Sequence, residues 1–176
     1  EDDSGGFHFG GWSQPLWDPL MGDVIGEVMG KPFDLLIGRK TYDIFASYWP
    51  TSTEEGAKPL NDATKYVASR SKDSLDWGPS VLVRDAAAEV PGIKAQDGPE
   101  LQVHGSSDLL QTLLRERLLD QLIVWTFPVL LGTGKRLFGD GTAPGDLRLT
   151  ASQVSSTGVV IATYEPAGEV KTGSFA

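Results

Sequence analysis

Apolar positions along this chain follow two spacings, one typical of helices and one typical of short buried strands. Behind an Asp-Pro start, residues 18–30 carry apolar side chains every four positions, which predicts a helix there. Residues 107–119 place four leucines on one face and predict the clearest helix of the chain. Shorter helices are predicted over residues 40–46 and 85–95, and a Pro-Gly pair must bend or break the second of these.

The predicted strands are short apolar or β-branched runs that end in glycine, serine or charged residues: 33–37, 65–68, 80–83, 101–103, 121–126, 147–154 and 158–164. The early strands alternate with helices, which is typical of parallel strands joined by helical crossovers. The last two runs flank three small polar residues and would close as an antiparallel pair. This order predicts an α/β sheet with an antiparallel edge, and the length of 176 residues predicts one domain over residues 1–176.

Composition and charge exclude several kinds of chemistry. The chain has no cysteine, which excludes disulfides, thiolate catalysis and cysteine-ligated zinc or iron–sulfur sites. Its two histidines are too few for a histidine-rich metal site, so we expect no metal. A net charge of −9 argues against nucleic acid as a partner. No apolar run reaches the roughly 18 residues that a membrane span needs, so we expect no membrane partner. We also expect a small-molecule substrate and a cytoplasmic location, with which the absence of cysteine is compatible.

Three predicted strands end in glycine or small polar residues just before a helix, at residues 38–41, 69–71 and 104–107. Ligands gather at the carboxyl ends of parallel strands, and the start of a helix offers unpaired N–H groups that suit a phosphate. Arg39 and Arg70 would add guanidinium contacts. Each junction alone is more often a plain connection, and each arginine alone a surface residue. Together these residues predict an α/β domain that binds a phosphorylated ligand.

Several segments, in order along the chain, resemble one known family. Residues 38–42, Gly-Arg-Lys-Thr-Tyr, are similar to the G-R-x-T-[WY] segment of dihydrofolate reductases, and residues 65–70 are similar to the K-x-V-x-S-R strand of related bacterial proteins. Residues 103–109 fit V-x-G-S-x-x-L, and residues 128–138 fit P-V-x-L-G-x-G-x-x-L-F. From about residue 9 to residue 166, the chain therefore resembles the dihydrofolate reductase-like family related to the C-terminal reductase domain of the bacterial riboflavin-biosynthesis deaminase/reductase.

That resemblance implies a fold and an activity. The implied fold has three layers, α/β/α, around a mixed central sheet; its usual first strand is not found in residues 1–176, and we expect it ahead of the acidic residues 1–3. The implied activity is that of an NADPH-dependent reductase. It would transfer hydride to a small heterocycle or to a carbonyl or imine, as the pyrimidine reductase of riboflavin biosynthesis does. Related reductase domains commonly pair, so a homodimer through the late strands is expected.

The same resemblance implies which residues hold the cofactor. Arg39 would face the 2′-phosphate, Ser69 and Arg70 would flank the adenosine phosphate, and the turn ahead of residues 107–119 would admit the pyrophosphate. The full set of expected cofactor-binding residues is Gly38, Arg39, Thr41, Ser69, Arg70, Gly105, Ser106 and Leu109.

Two residues are candidates for the proton source of such a reductase. His104 ends a strand just ahead of the cofactor turn, and Asp23 lies on the first predicted helix, where dihydrofolate reductases carry the acid that grips the pterin. The alternatives are a structural histidine bonded to backbone and a solvated helix face for Asp23. Trp12 would either cap the substrate pocket or pack in the fold.

Two other functions remain open. A non-catalytic or regulatory protein would keep the dinucleotide site without the chemistry, and a binder of phosphoribosyl compounds would use the same anion sites without a nicotinamide. Titration with NADPH and NADH separates the phosphoribosyl binder from the others. NADPH oxidation against a panel of substrates separates the reductase from the non-catalytic protein.

Overall fold

The computed structural model describes residues 6–175, which belong to two compact units. The first unit holds the residues up to Ile25 together with those from Leu119 onward, and the second holds Gly26–Leu118. The acidic residues 1–3, and the strand expected ahead of them, lie outside the described residues. A single domain over residues 1–176 stays a prediction.

The second unit is built on a parallel sheet. Its strands, in the spatial order β3-β2-β1-β4, are β1 (Phe33–Gly38), β2 (Lys65–Ala68), β3 (Ser80–Val83) and β4 (Glu100–Gln102). Leu35, Leu36 and Ile37 of β1 are almost fully buried, as expected for an unbroken apolar run that is covered on both faces. Every paired strand runs parallel to its neighbour, so the carboxyl ends of these strands meet at one edge of the sheet.

The α-helices lie before, between and after these strands along the chain. They are α1 (Pro19–Met29), which spans the boundary between the units, α2 (Arg39–Tyr48), α3 (Ala57–Asp62), α4 (Ala86–Lys94) and α5 (Ser107–Arg115). α4 continues through Pro91, and the carboxylate of Asp85 caps its start by accepting from the N–H groups of Ala87 and Ala88. Such a cap supports a short helix that a proline would otherwise weaken.

The most regular predicted helix is shorter than its leucine pattern indicates. α5 ends at Arg115 rather than at residue 119. Arg117 adopts a left-handed conformation with φ of +56°, and the N–H of Leu118 donates to the carbonyl of Leu113 at 2.8 Å. A left-handed residue followed by a hydrogen bond of this span terminates a helix. The expected helix end was therefore wrong, because an arginine occupies the position where a glycine would have signalled the stop.

The core of the second unit includes one buried cation beside an aromatic and aliphatic cluster, formed by Phe33, Leu35, Ile37, Tyr42, Leu60, Ala63, Val67 and Trp77. Lys65 is fully buried. Its Nζ donates to the carbonyls of Asn61 at 2.6 Å and Gly78 at 3.3 Å, and lies 4.2 Å from the centre of the Trp77 ring. Burial lowers the pKa of Lys65 to about 8, against a smaller opposing effect of nearby aspartates.

The first unit holds an antiparallel sheet in the order β5-β7-β6, made of β5 (Leu122–Thr126), β6 (Asp146–Val154) and β7 (Val160–Gly168). Asp18 fixes the turn between β6 and β7, because its Oδ2 accepts from the N–H of Ser156 at 2.7 Å and from its hydroxyl at 2.9 Å. Burial raises the pKa of Asp18, but these hydrogen bonds outweigh it and hold the pKa below its usual value.

The arrangement of the strands differs from the single sheet with an antiparallel edge that the sequence indicates. Within residues 6–175, the parallel strands form one sheet and the antiparallel strands form another. β4 pairs with β1, and β5 pairs with β7. β1 and β2 pair across a connection that contains α2 and α3, and β2 and β3 pair across a connection, residues 69–79, without a helix. A short turn lets the antiparallel strands β6 and β7 pair directly. Among the described residues, no helix combines the length and the apolar character needed to cross a bilayer.

Lys65 should make the stability of the protein depend on alkaline pH. The ordinary lysine pKa is 10.5, so between about pH 8 and that value the unfolded chain binds more protons than the folded one. The free energy of unfolding should therefore rise by on the order of 2 kcal/mol as the pH increases across this window. Below about pH 8, the folded protein should bear the full cost of burying the charged Lys65 ammonium. Urea denaturation at a series of pH values measures the rise.

The matched variant for this measurement is Lys65→Met, which should lose the alkaline rise. Its overall stability is a poor readout, because methionine leaves the carbonyls of Asn61 and Gly78 without their donor. The comparison is therefore between the two pH slopes. The same slope in both proteins would show that Lys65 does not titrate in this range.

Candidate functional site

The turns that follow β1 and β4 are joined by one serine side chain. The N–H of Gly38 donates to the Oγ of Ser106 at 2.7 Å, and that Oγ lies 2.7 Å from the Oγ1 of Thr41, in a hydrogen bond that either hydroxyl can donate. We call residues 38–41 and 105–107 the paired turn. It contains five of the residues predicted to bind a cofactor, namely Gly38, Arg39, Thr41, Gly105 and Ser106.

The backbone of the paired turn restricts which residues it can hold. Gly105 has a φ of +79° and Ser106 a φ of +74°, a left-handed conformation that costs a non-glycine residue on the order of 1 kcal/mol. A Cβ atom on Gly38 would lie 2.9 Å from the Oγ of Ser106, which is too close. The hydrogen bonds of Ser106 hold its unfavourable backbone in place, and such strain is concentrated at functional sites.

Two helices begin at the paired turn. α2 starts at Arg39 and α5 at Ser107, and neither helix is capped by the side chain of its N-cap residue, Gly38 or Ser106. The N–H groups of both first turns therefore keep their capacity to bind an anion. The N–H of Gly38 is taken by Ser106, so Gly38 contributes space rather than a donor. Leu109 is buried in α5, and its contact with a cofactor stays a prediction.

Cations collect at the carboxyl ends of three strands. Arg39 follows β1, Arg70 and Lys72 lie in the turn after β2, and Arg84 follows β3. We call these four residues the strand-end cations. Because β1, β2 and β3 are neighbours in the sheet, their positive charges lie along one stretch of its edge. This local charge opposes the net charge of the chain, which is −9.

Three of the strand-end cations are bound to carboxylates. Arg39 and Lys72 both donate to Asp43, at 3.2 Å and 2.8 Å. The hydrogen bond to Asp43 raises the pKa of Lys72. Arg84 donates to Asp73 at 3.3 Å. Much of the positive charge at this edge is therefore balanced within the protein.

Arg70 is the exception among these cations. Its side chain is exposed and makes no hydrogen bond or ion pair within residues 6–175, so its charge is available to a ligand. The preceding residue, Ser69, is buried and accepts from the N–H of Lys72 at 3.0 Å, which shapes the turn. The sequence interpretation missed Lys72 and Arg84. Arg84 follows β3 directly, as Arg39 follows β1. A search for cations at the carboxyl end of the predicted strand 80–83 would therefore have found Arg84.

A hydrogen-bond chain fixes the proton on the imidazole of His104. The amide nitrogen of Gln102 donates to the carbonyl of Val28 at 2.8 Å and to the carboxylate of Glu100 at 3.1 Å. Both partners are acceptors, so the amide oxygen of Gln102 must be the atom that faces His104 Nε2 at 2.9 Å. Nε2 therefore carries the proton, and Nδ1 is the acceptor of the neutral ring. Burial lowers the pKa of His104.

Asp23 and Trp12 belong to the first unit. Asp23 is exposed on α1 and Trp12 is half-buried, with its ring edge-on to Phe127 at 4.9 Å between centroids. Trp12 thus contacts Phe127, and the roles of Trp12 and Asp23 toward a substrate stay predictions. Among residues 6–175, no three His, Asp or Glu side chains are grouped closely enough to hold a metal ion.

Sequence comparison identifies relatives over most of the chain. The profile described as the RibD C-terminal domain matches residues 8–161. YyaP of Bacillus subtilis (strain 168), an uncharacterized protein, is 28% identical over 154 residues, which cover 85% of this chain and 81% of YyaP. YwjB of the same organism, also uncharacterized, is 28% identical over 120 residues, which cover 68% of this chain and 66% of YwjB.

Two solved structures share the fold. A candidate riboflavin biosynthesis protein from Shewanella sp. PV-4 has a TM-score of 0.69 at 24% identity, over 88% of this chain and 86% of that one. A pyrimidine reductase-like protein from Corynebacterium diphtheriae NCTC has a TM-score of 0.61 at 14% identity, over 89% and 85%. The dihydrofolate reductase-like α/β fold predicted from the ordered motifs is confirmed, and this chain belongs to the RibD C-terminal domain family.

Proposed function

We propose that this protein is an NADPH-dependent reductase that transfers hydride to a small heterocycle or to a carbonyl or imine, in the manner of a pyrimidine reductase. The observation that carries the proposal is the paired turn, where two uncapped helix starts meet beside the strand-end cations. Membership of the RibD C-terminal domain family supports it. The names of the Shewanella and Corynebacterium proteins point the same way.

The residues of the paired turn fit a pyrophosphate. Gly38 and Gly105 present no side chain there, and the first turns of α2 and α5 supply N–H groups and the positive ends of two helix dipoles. Ser106 and Thr41 hold the two turns at a fixed separation through their hydroxyls. We therefore expect this part of the site to bind the pyrophosphate of the dinucleotide through backbone N–H groups.

The strand-end cations fit the 2′-phosphate that distinguishes NADPH from NADH. The chain as a whole repels anions at long range, so any preference for that phosphate must come from local contacts. Arg70 offers a guanidinium without an ionic partner among the described residues, and Arg39 and Lys72 offer further donors once they turn from Asp43. The bound nicotinamide would supply the hydride, and the protein would supply orientation and a proton.

The hydrogen bonds of His104 restrict how it could handle that proton. Its Nε2–H is held by Gln102, so only Nδ1 is left for a substrate, and Nδ1 of a neutral ring accepts a hydrogen bond. Burial favours the neutral ring by lowering the pKa of His104. This favours His104 as a group that orients a substrate donor, and leaves Asp23 or solvent as candidate sources of the proton.

A non-catalytic dinucleotide-binding protein is the second candidate function. The observation in its favour is that the predicted cofactor residues lie in the second unit and would bind a dinucleotide without the help of Asp23 or Trp12. NADPH oxidation against folates, pyrimidines, quinones and nitro compounds decides between the two. Turnover with any of them supports the reductase, and binding of NADPH without turnover supports the alternative.

We also propose a second copy of this chain as a partner. β6 lies at the edge of its sheet and runs for nine residues, and Leu147, Leu149 and Val154 on it are exposed. Long edge strands with exposed apolar residues invite pairing. A closed twofold dimer would cover this edge and bury roughly 1,200–2,000 Å² in total.

Substitution of the two predicted arginines should separate NADPH from NADH. Arg39→Ala and Arg70→Ala should each weaken NADPH binding by about 10-fold or more, because a hydrogen bond to a charged group contributes roughly 1.5–3 kcal/mol. The loss should be larger for Arg70, since Arg39 is already paired with Asp43. NADH lacks the 2′-phosphate and should bind both variants as it binds the wild type.

Calorimetric titration with each dinucleotide measures these affinities, and the NADPH effect should shrink at high salt. Arg115→Ala is the control, because it removes an exposed arginine from the far end of α5. Unchanged NADPH affinity in both test variants would overturn the dinucleotide assignment.

His104 should be neutral, with its proton on Nε2, at pH 7. Long-range ¹H–¹⁵N NMR reports the state of each ring nitrogen, and a His8→Gln variant leaves His104 as the only histidine of the chain. The titration midpoint should lie below about 6.5. Gln102→Glu should raise it, because a carboxylate beside Nε2 stabilises the charged ring. A proton on Nδ1 at pH 7 would contradict the assignment.

Sedimentation at micromolar concentration should show a dimer. Leu149→Lys should shift it toward monomer, because a lysine on an edge strand opposes pairing. Val170→Lys adds the same charge at another exposed apolar position, outside the strands, and should leave the dimer intact. A wild-type monomer under these conditions would exclude the proposed pairing.

A further inference from the structure

One carboxylate occupies two of the strand-end cations at once. Asp43 lies on α2, one turn after Arg39, and its Oδ2 accepts from the guanidinium of Arg39 at 3.2 Å. Its Oδ1 accepts from the Nζ of Lys72, which comes from the turn after β2, at 2.8 Å. Both oxygens of Asp43 are thus engaged by cations from two different strand ends, so this is a bridge between strands rather than a simple pair along a helix.

The Lys72 side of this bridge is held in place by the surrounding fold. The backbone N–H of Lys72 donates to the buried Ser69, and its Nζ lies 5.2 Å from the centre of the Tyr42 ring. Tyr42 is itself fixed, because its hydroxyl accepts from the N–H of Trp77 at 2.7 Å. Only 23% of the Lys72 side chain is exposed. The position of the ammonium group therefore does not depend on Asp43 alone.

We propose that Asp43 is a specificity-determining residue that weakens binding of the 2′-phosphate and so narrows the preference for NADPH over NADH. The inference rests on the proposed function. A 2′-phosphate that binds Arg39 or Lys72 must share them with Asp43, and its charge of nearly two is repelled by the carboxylate at close range.

For NADH, the attraction and repulsion at the ribose 2′ position differ from those for NADPH. Its ribose carries a 2′-hydroxyl where NADPH carries the phosphate, and a hydroxyl can donate a hydrogen bond to a carboxylate. An acidic side chain on the ribose 2′-hydroxyl is the usual means of favouring NAD in dinucleotide-binding folds. The strand-end cations and Asp43 therefore act in opposite directions, and the chain should use both dinucleotides more evenly than its cations alone would indicate.

The test is the ratio of NADPH to NADH affinity in Asp43→Asn, which keeps the shape of the side chain and removes its charge. The matched control is Asp62→Asn, because Asp62 also pairs with a cation one helical turn away, Lys58, but on α3. The control changes the net charge of the chain by the same amount. Calorimetry at low salt gives both affinities, and thermal unfolding confirms that each variant is folded. Asp43→Ser repeats the test if the amide forms new hydrogen bonds.

Asp43→Asn should tighten NADPH binding by about 10-fold and change NADH binding little or weaken it, while Asp62→Asn should leave the ratio unchanged. An unchanged ratio in Asp43→Asn would overturn the inference, as would weaker NADPH binding, which would make Asp43 a residue that positions the cations. A wild type that binds neither dinucleotide would instead refute the proposed function, and the inference with it.

Discussion

The hydrogen bond from the N–H of Gly38 to the Oγ of Ser106 is the contact on which the candidate site depends. It ties the turn after β1 to the turn after β4, although the two residues are far apart in sequence. The bond demands that residue 38 have no side chain, because a Cβ there would collide with the serine. It also offsets the left-handed backbone of Ser106. Removing the hydroxyl would therefore release both turns at once, and with them the relation between the starts of α2 and α5.

Charge at the edge of the parallel sheet is arranged in opposition to the charge of the whole chain. An acidic protein gains no long-range attraction for a phosphorylated ligand, so the proposed binding of such a ligand would depend on local cations. Four cations occur there, but carboxylates bind three of them. Pairing keeps these three cations from repelling one another, and a phosphate that bound one of them would have to displace a protein carboxylate rather than water. Selectivity for a phosphorylated ligand in such a site would depend on the difference in free energy between cation–phosphate pairs and the cation–carboxylate pairs that they replace.

Local sequence patterns predicted those parts of the fold that local forces determine. The apolar run of β1, the leucine face of α5 and the two glycines of the paired turn are each visible within a few residues. The end of α5 was not, because Arg117 takes a conformation that favours glycine. The bond of Asp18 to Ser156 and the division of the strands into two sheets depend on residues distant in sequence. In the site, Arg39 and Arg70 were visible, whereas the bridge from Lys72 to Asp43 depends on the course of the turn after β2.

The polar residues of the second unit show why residue type alone did not assign their roles. A histidine at a strand end suggests an acid, yet Gln102 determines that His104 donates from Nε2. The amide nitrogen of Gln102 donates to Val28 and Glu100, so its amide oxygen is the atom that accepts from His104. Lys65 is a cation in sequence, but burial against Trp77 lowers its pKa to about 8 and removes it from any ligand. Asp43 is an acid whose two carboxylate oxygens are bound by Arg39 and Lys72. In each case the neighbour that satisfies the group decides its chemistry, and that neighbour is found only in the folded chain.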